Sequence, residues 1–425
     1  MPYPAVHELI GEMRARLAGR PVLADLFARL FPNTLETTTQ LQDDGTTFVF
    51  TGDIPAMWLR DSSAQVRPYV RLAARDAGLQ RLLAGLIRRQ AAYILHDPYA
   101  NAFVRAPRGV RRQHAADRPA AGPWVWERKF ELDSLCYPLQ LLHDYWQATR
   151  DAAVFDGSVH EMLRRIVAVM RVEQRHDRDS PYRFERPRPA SPLDTLSHGG
   201  HGPPTAYTGM VWSGFRPSDD ACTYGYLIPA NMFAVTALRH AVEIARAVYD
   251  DRQLAEEAVR LRDEIDRGIT AHGLVDHPRH GRIYAYETDG LGHHNLMDDA
   301  NAPSLLSIPY LGYRPATDEV YQRTRGFVLS PDNPSYVAGR FARGVGSPHT
   351  PTGYVWPLAL AMQGLTVTDP DERDALVEML VTTTAGTGYM HESFDPDEPA
   401  RFTRPWFAWA NSLCAEFLLR WAEAA

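Results

Sequence analysis

The chain of 425 residues has only three cysteines, Cys136, Cys222 and Cys414. They lie far apart in apolar or helical neighbourhoods, which excludes a disulfide framework and points to buried, reduced thiols in a cytoplasmic protein. No apolar run reaches the length of a membrane span. The N-terminal stretch carries Glu8, Glu12 and Arg14 within its apolar pattern, which argues against a signal peptide. There is no basic stripe: the formal charge is −7, which argues against nucleic acid as a partner. The Arg-rich piece Arg105 to Arg112 lies in a Pro/Gly-containing segment and reads as a solvated loop. Low-complexity segments are absent, and 45% hydrophobic with 23% charged residues marks a globular chain.

Other absences narrow the chemistry. GGHG and GVGS lack the strand, glycine loop and helix that cradle a phosphate or dinucleotide, and nucleophile elbows are missing. His198 with His201, and His293 and His294 near Asp298, do not match a zinc spacing, so no metal and no cofactor are expected. Asp219-Asp220 and Asp298-Asp299 lack the third aspartate of a magnesium-diphosphate motif, as Thr223 and Ala302 show. Lysine is almost missing too. Of 45 basic residues only Lys129 is a lysine, either from genome composition or because this place needs a compact ammonium rather than a guanidinium fork.

Apolar residues at helical spacing are abundant. They recur at Val6, Leu9, Ile10, Met13 and Leu17, at Leu82, Leu83, Leu86, Ile87 and Tyr93, and at Leu135, Leu139, Leu142 and Tyr145. The same pattern predicts helices over Val159–Val172, Tyr226–Val248, Leu254–Ile269, Val320–Leu329, Tyr354–Gln363, Ala375–Thr383 and Ala408–Ala424. Strand signals are few: Leu35–Leu41 and Thr46–Thr51 flank Asp43, Asp44 and Gly45 as a hairpin, and Ile283–Glu287 reads as a short strand. The length favours two domains or one ring-shaped architecture. About a dozen paired helices, joined alternately by tight turns and long polar loops, fit a toroid of helical hairpins with one busy face.

Three stretches carry candidate chemistry. Thr51 to Val70 compresses Asp53, Trp58, Arg60, Asp61, Ser62 and Gln65, a mix of apolar ring face, carboxylates and guanidinium that suits a hydroxyl-rich, uncharged ligand. The alternative is a helix capped by Asp61 or Ser62. Gly209 to Tyr226 places Ser218, Asp219 and Asp220 before an apolar helix, either as caps or as a carboxyl in apolar company. Burial would raise such a group's pKa, as a general acid requires, while a helix N-terminus would lower it. Gly386 to Phe394 holds His391 and Glu392 after a glycine-rich turn, either as a chance surface Glu or as a general base for water. Further polar clusters read as ligand walls: Glu127, Lys129, Glu131 and Asp133; Asn295, Asp298, Asp299 and Asn301; Ser347, Pro348, His349 and Thr350.

The blocks TGDIPAMWLRDSSAQVRPY, PWVWERKFELDSLCYP, TGMVWSGFRPSDDACTYGYLIPANMFAV, MDDANAPSLLSIPYLGY, GSPHTP and GTGYMHESF closely resemble glycoside hydrolase family 125, in order and over nearly the whole chain. The resemblance implies a single all-α (α/α)6 barrel over residues 1–425, with the small β-hairpin near the N-terminus. It implies an exo-acting α-1,6-mannosidase that inverts the anomeric centre without a metal. Asp219 then resembles the general acid and Glu392 the general base, with Asp220 as the exchangeable neighbour of Asp219. Asp53, Trp58, Arg60, Asp61, Lys129, Asp133, Asp220, Asp299, Asn301, His349, His391, Arg404 and Trp406 become substrate-binding candidates. The partner is a mannose-containing oligosaccharide, and oligomeric state stays open. Inversion calls for carboxyls about 6.5–9.5 Å apart, with room for water. A phosphorylase or lyase on the same toroid, or a non-catalytic glycan-binding protein, is the alternative.

Overall fold

The structure is a computed structural model that describes residues 3–107 and 115–424; part of the Arg105 to Arg112 segment lies outside these. Helices dominate and form two concentric rings. The inner ring contains Leu59–Val66, Asp133–Thr149, Ile228–Ala247, Pro357–Thr366 and Ala408–Ala424. Leu59–Val66 packs on Asp133–Thr149 and Asp133–Thr149 on Ile228–Ala247, while Ala408–Ala424 touches both Pro357–Thr366 and Leu59–Val66. Between Ile228–Ala247 and Pro357–Thr366 lies a turn-rich segment, 302–313, that buries Leu305, Leu306, Ile308 and Leu311. The Tyr137 and Tyr321 hydroxyls tie it in place by donating to the Ala302 and Leu306 carbonyls, each at 3.0 Å.

The two rings differ in sequence because they differ in what they face. Ala408–Ala424 is buried continuously from Ala408 to Leu419, as a helix enclosed on all sides must be. Arg252–His272, in the outer ring, buries only a stripe containing Leu254, Ala258, Leu261, Ile265 and Ile269. Each large aliphatic side chain so enclosed contributes about 1.5–3 kcal/mol relative to exposure. The periodicity-based helices are all present, with ends shifted by a few residues. Tyr354–Gln363 begins only at Pro357, because Val355 first bridges Phe394.

The strands are short and brace the loops at one rim. Thr39–Leu41 pairs with Thr47–Val49, which is the expected hairpin in shortened form. Its first half is corrected: Asn33–Thr37 is helical. Here the hydroxyls of Thr37, Thr38 and Thr39 turn back onto the carbonyls four residues earlier, so β-branched residues expected to extend a strand stabilise a turn instead. The expected strand Ile283–Glu287 is divided. Gly281–Tyr284 pairs with Leu274–His277, whereas Glu287–Thr288 pairs with Tyr226–Leu227 and His294–Asn295.

Candidate active site

Inner helices present their N-terminal ends to one pocket. Its cavity of about 180 Å³ is lined by Trp58, Arg60 and Asp61 at the start of Leu59–Val66, and by Pro217, Ser218 and Asp219 from the loop preceding Ile228–Ala247. Asn301 and His349 come from two further loops. Trp356 immediately precedes Pro357–Thr366, Phe407 and Trp409 open Ala408–Ala424, and Glu392 and Arg404 flank the Ser393–Phe394 and Phe402–Thr403 hairpin. Thr51 and Ile54 complete the wall.

Neither capping reading holds. Trp58 occupies the N-cap of Leu59–Val66 without a side-chain bond, and Asp61 lies inside the first turn. Asp219 sits in a tight turn well before Ile228, where Asp219 N–H donates to the Arg216 carbonyl at 2.9 Å and Arg216 N–H to that of Asp220 at 2.8 Å. The turn holds Asp219 at φ +65°, a left-handed conformation that Asp tolerates better than most side chains.

The surroundings of Asp219 are one-sided. Its Oδ1 accepts from Asn101 Nδ2 at 3.0 Å, Trp58 Nε1 at 3.2 Å and Arg60 Nη2 at 3.4 Å. With Oδ1 so occupied, Oδ2 is the oxygen left to carry a proton. Burial opposes ionisation of Asp219, yet a hydrogen bond with Glu131 and the charges of Arg60, Lys129 and His349 outweigh it and hold this carboxyl below the usual range. Glu131 shifts the opposite way: burial, only partly offset by Arg60, and the repulsion of Asp219 push it well up. Burial likewise raises Asp133, and it takes Asp61 to about 6 against the pull of Arg60.

Lys129, the single lysine, lies behind the Asp219 turn. The ammonium is buried and donates at 2.7 Å both to the Asp219 carbonyl and to Asp194 Oδ1. It thus holds the turn from behind, a task for a compact donor. Asp133 is also buried behind the pocket, accepting from Arg60 Nη1 at 3.1 Å. Asp220 faces His349 Nδ1 at 3.3 Å. Asp299 holds Asn301 through its N–H at 3.1 Å and accepts from the Ser347 hydroxyl at 3.1 Å, so it positions a pocket residue without lining the pocket. Asp298 accepts from Leu305 and Leu306 N–H groups and organises the 302–313 turns.

On the opposite side, Glu392 Oε1 accepts from Arg404 Nη1 at 3.3 Å, and Asp53 on the rim holds the same guanidinium. Like Asp53, Lys129, Asp133, Asp220 and Asp299, the expected binders His391 and Trp406 do not line the pocket. His391 is buried and stacks on Phe402 with centroids 3.8 Å apart. Its Nδ1 faces the Pro405 carbonyl at 2.9 Å. Trp406 stays half-buried beside the site, because Phe407 N–H bonds the Met390 carbonyl and turns Phe407 inward instead. From the sequence alone Trp356, Phe407, Trp409 and Asn101 have no individual role, although Phe407 and Trp409 belong to the aromatic stretch RFTRPWFAWAN. A usable signal existed for Trp356 and Phe407: an aromatic immediately before an inner helix, as in AMWL, YVWP and PWFA.

The histidines weighed as metal ligands have other partners: His198 faces Ser197, His293 faces Asp289 and His294 faces the His272 carbonyl. Among the described residues, His277, His280 and Asp332 come close enough to share a cation. They lie outside this pocket, and Arg279 and His280 already pair with Asp332. No helix among the described residues is long and apolar enough to cross a membrane.

The sequence profile described as metal-independent alpha-mannosidase (GH125) matches residues 20–419. The chain belongs to glycoside hydrolase family 125. It is therefore an α-mannosidase on a helical toroid, as the resemblance of its sequence blocks implied. A Streptococcus pneumoniae metal-independent α-mannosidase, solved in a non-productive complex with α-1,6-mannobiose, is 46% identical with a TM-score of 0.97, and each chain is covered over 100% of its length. The meiotically up-regulated gene 157 protein of Schizosaccharomyces pombe is 41% identical over 98% of this chain and 85% of its own. A bacterial glucoamylase complexed with acarbose has a TM-score of 0.60 at 12% identity, over 96% of this chain and 56% of that one. This last likeness concerns the fold alone.

Proposed function

We propose that this α-mannosidase removes terminal, non-reducing α-1,6-linked mannose from oligosaccharides in one inverting step, with Asp219 as general acid and Glu392 as general base. The observation that carries this reading is the placement of those two carboxyls in one pocket with unlike surroundings: Asp219 among buried carboxyls and donors, Glu392 beside Arg404. Asp219 Oδ2–H gives its proton to the glycosidic oxygen, which keeps the electron pair of the breaking C1–O bond. Glu392 takes a proton from water, whose oxygen bonds C1 from the other ring face and yields β-mannose.

Trp356, Phe407 and Trp409 offer apolar faces to a pyranose, and Asp61, Asn301 and His349 offer polar groups to its hydroxyls. The small cavity supports exo action on a single terminal sugar. The α-1,6 preference is supported by the disaccharide in the pneumococcal relative. Three buried free cysteines support a reducing, cytoplasmic setting.

Proton NMR of α-1,6-mannobiose hydrolysis tests the stereochemistry: β-mannose is expected first, followed by slow mutarotation. Early α-mannose would overturn inversion, and intact disaccharide would overturn the linkage.

A further inference from the structure

A general acid must hold a proton at working pH, yet Asp219 is surrounded by groups that favour its anion. The resolution lies in the company Arg60 keeps. Its guanidinium, itself buried, faces four carboxyls: Glu131 at 2.5 Å, Asp133 at 3.1 Å, Asp219 at 3.4 Å and Asp61 at 3.7 Å. Lys129 and His349 add positive charge on the Asp219 side, but Lys129 is also committed to Asp194 and faces Glu127 at 3.6 Å. One guanidinium cannot neutralise four carboxyls, of which Glu131, Asp133 and Asp61 are buried and Asp219 is half-buried, so the cluster retains a proton.

Within the cluster, Glu131 and Asp219 are joined twice. Arg60 spans them, with Nη1 on Glu131 and Nη2 on Asp219. Asn101 spans them as well, its Nδ2 lying 3.2 Å from Glu131 Oε1 and 3.0 Å from Asp219 Oδ1. Glu131 Oε2 also accepts from the Ser134 hydroxyl at 2.9 Å. Donors are therefore in place for the anion at either end of the pair, so a proton can cross with little rearrangement.

We propose that Glu131 is a positioning residue that acts through Asp219, holding the shared proton of the pair and returning it to Asp219 as the glycosidic oxygen arrives. The O–H bond on Glu131 breaks as one forms on the Asp219 carboxylate, and Glu131 becomes the anion on Arg60, Ser134 and Asn101. Asp219 then protonates the leaving oxygen. Water supplies the compensating proton through Glu392 and solvent. This rests on Asp219 as general acid.

The sign for the variant follows directly. Without Glu131 the last proton belongs to Asp219 alone, which Arg60, Lys129 and His349 hold low. Replacing Glu131 by Gln shifts the basic limb of kcat/KM for α-1,6-mannobiose to lower pH by about one unit or more, with a loss of about 100-fold at pH 7. A 2,4-dinitrophenyl α-mannoside, whose leaving group needs no proton, loses less than about fivefold. Glu131→Asp keeps a carboxyl on Arg60 but moves it away from Asp219, and its basic limb falls between the other two. A basic limb that stays at the wild-type position in either folded variant, or equal losses on both substrates, overturns the role of Glu131. Asp219→Asn separates the two readings: retained mannobiose hydrolysis removes Asp219 as the acid, whereas selective loss on mannobiose keeps it and leaves Glu131 to be judged by its own limb.

Discussion

Arg404 donates from Nη1 to Glu392 Oε1 at 3.3 Å while its Cζ lies 4.7 Å above the Phe407 ring. Asp53 and the Thr51 carbonyl take its other end. One guanidinium thus fixes the proposed base against the pocket wall, in a backbone conformation with φ +44°.

Lysine cannot reproduce that stack and fork. Arg404→Lys is expected to lower kcat on α-1,6-mannobiose by about 10–100-fold through a displaced Glu392, with KM changed less than about threefold. Steady-state kinetics checks it, alongside circular dichroism to confirm the fold. A raised KM with unchanged kcat would make Arg404 a sugar binder instead.

Removing the carboxyls themselves goes further. Asp219→Asn and Glu392→Gln are each expected to lower mannobiose hydrolysis by about 10²–10⁴-fold. On the dinitrophenyl mannoside only Glu392→Gln should remain severely impaired, because that substrate still needs an activated water. Equal behaviour of the two variants on both substrates contradicts the division of roles.

His349 makes stability pH-dependent. Desolvation of this partly exposed ring disfavours its cation, but the hydrogen bond and charge of Asp220 more than compensate and raise it to about 9. A raised folded-state pKa stabilises fully below the unfolded value of about 6.5 and is lost as pH rises through the folded one. The difference in Tm between the wild-type protein and Asp220→Asn should therefore be largest below about pH 6.5 and smallest above about pH 9. A difference that is flat across this window refutes the pairing.

The inner ring is packed at Gly364, where an added Cβ would lie 2.3 Å from Phe417 Cζ. Gly364→Ala is expected to destabilise the fold by about 1–3 kcal/mol, because the two inner helices must part. Urea unfolding reads this directly, and unchanged stability would show that Phe417 can swing aside.

Water activation here is assigned to Glu392, so dialysis against a chelator should leave kcat/KM unchanged. Loss of activity restored by a divalent ion contradicts that assignment.

The legible part of the site was the part written in contiguous blocks. Trp58, Arg60 and Asp61 fall within one short stretch, and Asp219 and Glu392 within two others, so each could be singled out. Asn101 could not: it is one polar residue in PYANAFV. Only the pairing of Met57–Trp58 with Ala102–Phe103 brings Asn101 beside Asp219. Likewise Trp356 reads as a core aromatic until the turn from the Val355 bridge into Pro357–Thr366 aims it at the pocket.

By itself the sequence determined the helices, because a 3.6-residue apolar period survives any arrangement of neighbours, and it determined family membership, and through it the expected toroid, because long aromatic-rich blocks stand in order. It did not settle which acids cap helices and which stand in the pocket. That depended on the chain path: a tight turn at φ +65° took Asp219 away from the helix start, and the fold gathered four carboxyls around Arg60. Proton affinity in that cluster depends on burial and on charges distant in sequence, and only the tertiary structure brings those together.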